Sequence, residues 1–243
     1  MSTLASDRAG EQDQRGGQGE RDREAARAMQ PIERLREDAL RPDLALIASL
    51  VPEGARVLDI GCGDGALLAH LRREKGVDGR GIELDRTRVA EALARGVPVI
   101  QGDADRDLTH YPDGAFDVTV LSKTLQVTRD TRGVLENLLR IGRRAIVSVP
   151  NFGHWRARMQ LAIGGRMPVN RHMTYEWWDT PNIHFCTIRD FDALCDVIGA
   201  KVEARHVLRG DGHPIGFVGN AGWSANFFGQ QAVFVLRRGT SRT

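Results

Sequence analysis

The feature that most limits what this chain can fold into is the run Val57-Leu58-Asp59-Ile60-Gly61-Cys62-Gly63-Asp64-Gly65-Ala66-Leu67-Leu68. An apolar strand over residues 57–60 ends in alternating glycines, and Ala66, Leu67, Leu68 and Leu71 then continue at the spacing of one helical face. A strand that turns through glycines into a helix leaves the N–H groups of the helix start free. They lie at the carboxyl edge of a parallel sheet, where a ligand can approach the backbone. The same rhythm repeats downstream. Residues 80–84 read as a second strand before a helix through Val89, Ala90 and Leu93, and residues 97–101 as a third. Residues 116–121 give a fourth strand, 134–141 a helix, and 144–149 a fifth strand of the continuous apolar kind that suits a sheet covered on both faces. Alternating strands and helices predict an α/β, doubly wound, Rossmann-like sheet.

Around this frame the organisation is uneven. Residues 1–28 carry Gly, Gln, Arg, Asp and Glu with almost no large aliphatics, so they are expected to form a disordered tail. Residues 29–243 are expected to form one domain. From Pro31, Ile32, Leu35 and Leu40 recur at helical spacing, and Pro42 opens a second stretch with Leu44, Ile47, Ala48 and Val51. After Pro150 the periodicity fails. Residues 151–186 hold three of the four tryptophans and are expected to be an aromatic-rich cap inserted after strand 5. Regularity returns with a helix over 188–198, then residues 201–208 and a final strand over 231–236.

Composition narrows the function classes. Thirty-four Lys and Arg against 32 Asp and Glu leave a formal charge of +2, too weak a field to imply nucleic acid. No apolar run reaches the roughly 18 residues of a membrane helix, and residues 1–24 lack the apolar core of a secretory signal, so a cytoplasmic enzyme or binding protein is expected. Cys62, Cys186 and Cys195 are odd in number and far apart, which excludes a disulfide framework. His184 and Cys186 could share a face, but two ligands do not make a metal site, and no metal is expected.

The glycine spacing alone is ambiguous. Gly61-x-Gly63-x-x-Ala66 fits a dinucleotide fingerprint, while Asp59-x-Gly61-x-Gly63-x-Gly65 fits the pattern used for S-adenosylmethionine. Two acids separate them. Asp59, inside the strand, would face an ammonium or sulfonium and repel a pyrophosphate. Asp103, after the third strand, is placed to accept from an adenine amine, and Glu83, at the end of the second, to accept from both ribose hydroxyls. Singly, Asp59 could cap a turn and Asp103 a loop; together the three suit a cationic nucleoside. Cys62, Leu84, Ala104 and Leu121 flank them and complete the candidate binding set, with Cys62 read as a small packing residue of the turn.

These residues carry a resemblance. V-L-D-I-G-C-G-D-G-A-L-L, G-I-E-L-D and Q-G-D-A-D resemble the class I S-adenosylmethionine-dependent methyltransferases. R-P-D-L-A-L-I at 41–47, I-V-S-V-P-N-F-G-H-W at 146–155, G-R-M-P-V at 165–169 and T-P-N-I-H-F-C-T at 180–187 are similar to the MetW family of methionine biosynthesis. The resemblance covers residues 41 to about 238. It implies a seven-stranded methyltransferase fold with an antiparallel last strand, S-adenosylmethionine as ligand, and a role beside homoserine O-acyltransferase. It places Asp59, Gly61, Gly63 and Gly65 at the methionine end, Glu83 at the ribose and Asp103 at the adenine. One departure stands out: Lys123 occupies a position where the family's L-S-Q-T-L-Q segment implies glutamine, and a cation there would face the sulfonium region unless it points away.

No acceptor motif of the N-P-P-Y type follows the fourth strand, so no catalytic residue is assigned. Methyl transfer can proceed by positioning alone, which leaves the question open. His154, Tyr175 and His184 are polar candidates among aromatics, each as readily a packed structural residue. Trp155, Tyr175, Trp177 and Trp178 admit three readings: core of the insertion, which is the default, a lid over an acceptor, or a partner patch interleaved with Arg156, Arg158, Arg166 and Arg171. Three functions follow: an accessory subunit, an active small-molecule methyltransferase, and a dinucleotide-dependent oxidoreductase.

Overall fold

The computed structural model describes residues 40–169, 176–216 and 222–239. The expected tail over 1–28, residues 31–39 of the stretch from Pro31, Arg171 and Tyr175 lie outside these residues.

Helix α1 (Pro42–Leu50) opens on the proline, whose fixed φ suits a first helical turn. Strand β1 (Arg56–Ile60) follows, with Val57, Leu58, Asp59 and Ile60 all buried, as befits a strand flanked on both sides. The chain continues through α2 (Ala66–Lys75), β2 (Asp78–Glu83), α3 (Arg86–Ala94), β3 (Val99–Gln101), the short α4 (Ala104–Asp107) and β4 (Phe116–Ser122). Next come α5 (Thr131–Ile141), β5 (Gly142–Pro150), α6 (Trp155–Gly164), α7 (Ile188–Val197), β6 (Ala200–Leu208), α8 (Gly222–Phe228) and β7 (Gln231–Arg238). Side chains fix several helix starts. Asp85 accepts from the Thr87 and Arg88 amides, Asp130 from Gly133, and Thr187 and Asp190 form a reciprocal capping box.

The strands form one sheet in the order β3-β2-β1-β4-β5-β7-β6. The first five are parallel, and β7 runs antiparallel between β5 and β6. Chain direction across the sheet reverses between β1 and β4, the position where open α/β sheets leave a crevice beyond the strand ends. Register aligns those ends: Ile60 pairs with Ile82 and Leu121, and Glu83 with Gln101. The core beneath gathers Leu58, Ile60, Leu121, Leu135, Phe191 and Phe234, the two phenylalanine rings 4.4 Å apart.

Two expectations change here. The stretch 151–186 begins with a regular helix, α6, which the sequence pattern conceals because Ala157 is its only buried residue. Nor do its tryptophans make a core: Trp177 and Trp178 are each 68% exposed, and Trp155 is also exposed.

Candidate ligand site at the carboxyl edge of the sheet

Three glycines carry the turn after β1 in left-handed conformation, with φ of 70° at Gly61, 57° at Gly63 and 75° at Gly65. At Gly61 a side chain would collide with Thr124, so the loop after β4 packs directly on the turn. At Gly63 the position of an added Cβ meets nothing within 4 Å. The backbone there is open to an approaching group.

Glu83 ties this turn to the end of β2. Its Oε2 accepts from the Gly63 N–H at 2.8 Å, and its Oε1 accepts from the Leu84 and Asp85 N–H groups at 2.8 and 3.0 Å. A carboxylate offers about four lone-pair sites, so one is left on Oε2 for a hydroxyl and the second hydroxyl has to share or displace an amide. Asp64, which the sequence reading did not single out, accepts from the Ala66 amide at the start of α2 and pairs with Arg95 at 2.9 Å.

Asp59 is 3% exposed, and its Oδ1 meets no hydrogen-bond donor among the described residues. Burial, reinforced by the negative charge of Glu83, pushes its carboxyl up to about 7. A buried acceptor left without a partner is costly, and sites that bind a donor tolerate it. Cys62 lies below the turn, and a Cβ added at Gly81 would sit 2.5 Å from its Sγ. Burial and the neighbouring carboxylates push its thiol up, which disfavours the nucleophilic thiolate.

Asp103 sits at the start of α4, where it accepts from the Asp105 N–H at 3.0 Å. It caps the loop, the structural role weighed for it above, while remaining partly exposed at the same sheet edge. Leu84 is exposed beside Glu83, and Ala104 packs on the edge of the core. Leu121 departs from expectation: at 0% exposure it belongs to the core, because β4 turns that side chain into the layer beneath the sheet. Its side chain has no surface to offer a ligand.

Lys123 does not stand free over the site. Its Nζ lies 2.6 Å from Asp43 Oδ2 in α1.

A second feature escaped single-residue reasoning. A cleft of about 920 Å³ opens between α6 and residues 182–186, lined by Trp155, Met159, Phe152, Phe185, His154 and His184 among others. The two histidines named separately in the sequence thus share one cleft. His154 Nδ1 accepts from the Arg156 amide at 3.2 Å as the cap of α6, and His184 Nε2 lies 3.4 Å from the Arg129 carbonyl. Among the described residues, no three His, Cys, Asp or Glu side chains gather as metal ligands, and no helix is long and apolar enough to cross a membrane.

Residues 41–236 match the family described as methionine biosynthesis protein MetW. The chain belongs to the MetW family. A bifunctional methionine biosynthesis protein MetXA/MetW of Rhodopirellula baltica is 34% identical over 173 residues, covering 68% of this chain and 28% of that protein. An uncharacterized methyltransferase of Mycobacterium tuberculosis is 36% identical over 96 residues, or 39% of this chain and 49% of the relative. The MetW chain described here therefore spans less than half the length of these curated relatives. Among solved structures, an S-adenosylmethionine-dependent methyltransferase of Mesorhizobium loti superposes with a TM-score of 0.59 at 18% identity, covering 81% of this chain and 98% of the other. Magnesium protoporphyrin IX methyltransferase of Synechocystis with bound SAH gives 0.55 at 16% identity, covering 80% of each chain. At such identities the likeness establishes the fold, that of the Rossmann-like methyltransferases.

Proposed function

We propose that this MetW chain binds S-adenosylmethionine at the carboxyl edge of its sheet and acts as an accessory subunit to a homoserine O-acyltransferase. The observation that carries the ligand half is Asp59 Oδ1, a buried carboxylate oxygen that meets no donor among the described residues, beside a backbone left open at Gly63. A cationic ligand supplies what that oxygen lacks, whereas a pyrophosphate would meet repulsion, which disfavours the dinucleotide reading. The site residues fit the nucleoside: Asp59 toward the ammonium or sulfonium, the remaining lone pair of Glu83 toward a ribose hydroxyl, Asp103 and the exposed Leu84 toward the adenine. When bound, the ligand supplies an activated methyl group. The chain's own contribution is to orient it and to shield it beneath Thr124 and the glycine turn.

The accessory half rests on family membership and on the Rhodopirellula relative, whose name joins MetXA and MetW in one polypeptide. The test is acyl transfer by the homoserine O-acyltransferase of the same organism, with and without this chain and then with and without S-adenosylmethionine. A rate that rises with the chain supports the role; a rate indifferent to it contradicts it. A second reading, an active methyltransferase on a small molecule, draws on the cleft that His154 and His184 share. Release of S-adenosylhomocysteine in the presence of a candidate acceptor would favour it.

A further inference from the structure

Of the ten residues of helix α6 only Ala157 is buried, yet Trp155, Met159, Leu161 and Ile163 are large apolar side chains left exposed beside Arg156, Arg158 and Gln160. Trp155, Met159 and Ile163 fall at i, i+4 and i+8, one stripe of a helix surface, and all three line the cleft described above. Ile163 is 76% exposed. Across the cleft stand Phe152 and Phe185, their rings 5.2 Å apart. An apolar stripe facing apolar walls with open space between them is unfilled by the described residues.

The segment that leads into the helix is braced by hydrogen bonds. Asn151 Nδ2 donates to the Asn226 and Gly229 carbonyls at 2.8 and 2.6 Å, and its Oδ1 accepts from the Gly153 amide at 2.9 Å. Arg158 Nε donates to the Gly153 carbonyl. The cleft is thus held open by buried hydrogen bonds, so an occupant meets a preformed surface.

Charge narrows the occupant. From Asn151 to Val169 the sequence contains Arg156, Arg158 and Arg166 and no Asp or Glu. Arg156 stands 5.3 Å over the Trp155 ring and Arg166 is exposed. The carboxylate that does line the cleft, Asp211, already faces Arg209 and His213 at 3.9 and 3.4 Å. A ten-residue helix is about 15 Å long, the reach of a few helical turns of a partner. Small apolar ligands would leave Arg156 at the cleft and the exposed Arg166 after it unused, whereas a protein segment with apolar anchors and acidic flanks engages both kinds of surface.

We infer that the cleft bounded by α6 docks an apolar, acid-flanked segment of the acyltransferase, with Ile163 and Met159 as its central contacts. This inference rests on the accessory reading above and adds the surface. The Rhodopirellula relative supports a protein as occupant, because there a second named component shares the polypeptide.

The experiment immobilises the acyltransferase and measures capture of the wild-type chain, Ile163→Glu, Ile163→Leu, and Val197→Glu as an exposed control on α7. Circular dichroism and S-adenosylmethionine affinity confirm that each variant is folded. The expected result is at least about tenfold weaker capture for Ile163→Glu, with Ile163→Leu and Val197→Glu within about twofold of wild type. If wild type and Ile163→Glu are captured equally, the surface is wrong and the accessory role stands. If the wild-type chain is not captured at all, the accessory role falls and the surface with it. If Ile163→Glu instead converts a dimer of this chain to monomer in sedimentation, the occupant is a second copy and the inference is overturned.

Discussion

Lys123 in the loop after β4 neutralises Asp43 in α1, Nζ to Oδ2 at 2.6 Å, and so ties the chain's first described helix to the edge of the ligand site. Lys123 holds a left-handed φ of 55°, with its amide donating to Ser148 Oγ at 3.0 Å. The geometry accounts for a cation at a position where the family resemblance implies glutamine: it answers a buried carboxylate.

Removing that cation leaves Asp43 buried with Arg41, at 3.4 Å, as its remaining ion-pair partner among the described residues. Lys123→Gln should destabilise the chain by about 1–3 kcal/mol, read from urea unfolding at neutral pH. Burial raises the Asp43 carboxyl, but the hydrogen bond and charge of Lys123, with Arg41, outweigh it and hold it below the ordinary range. A depressed carboxyl contributes stability above its unfolded pKa of about 4 and loses it as pH falls through the folded value. The gap between wild type and variant should therefore close in acid. An equal gap at every pH would argue against the pair.

Asp59 behaves in the opposite sense. Its carboxyl is raised to about 7, so the folded chain keeps a proton that the unfolded chain releases above about pH 4. Its contribution should make the ligand-free chain less stable as pH climbs from about 4 to about 7. Asp59→Asn should flatten that slope and raise stability above neutral pH by about 1 kcal/mol or more, while weakening a cationic ligand by roughly tenfold or more. Loss of stability with no change in binding would contradict the assignment.

Asn151 is a structural keystone with a functional consequence. Asn151→Ala abandons the Asn226 and Gly229 carbonyls and the Gly153 amide in the interior, and leaves the Ile188 amide to Asn226 Oδ1. Thermal unfolding should show a loss of about 2–4 kcal/mol, and proteolysis should become fastest near α6. A variant as stable as wild type would mean that water satisfies the site.

Much of the fold could be read before any coordinates. Strand cores stand out wherever both faces are buried, as in Val57–Ile60 or Ile146–Val149, because runs that are apolar at all but one position leave a plain signal. Helix α7 shows too, since Ile188, Phe191 and Cys195 fall on one buried face. Helix α6 stays hidden for the reverse reason: it buries only Ala157, and periodicity reports burial. The site was legible in its residue types but not in their occupancy. That Glu83 already serves three amides, that Asp103 caps its loop and that Leu121 points into the core are facts of side-chain direction. The partner of Lys123 was equally hidden, since 80 residues separate it from Asp43.

The most direct test is calorimetric titration of the 243-residue chain with S-adenosylmethionine, wild type beside Glu83→Ala. One saturable site is expected, with affinity in Glu83→Ala reduced by about 2 kcal/mol, or roughly thirtyfold, while circular dichroism shows the variant folded. No saturable heat with the folded wild-type chain, or an affinity unchanged by Glu83→Ala, contradicts the proposed ligand site.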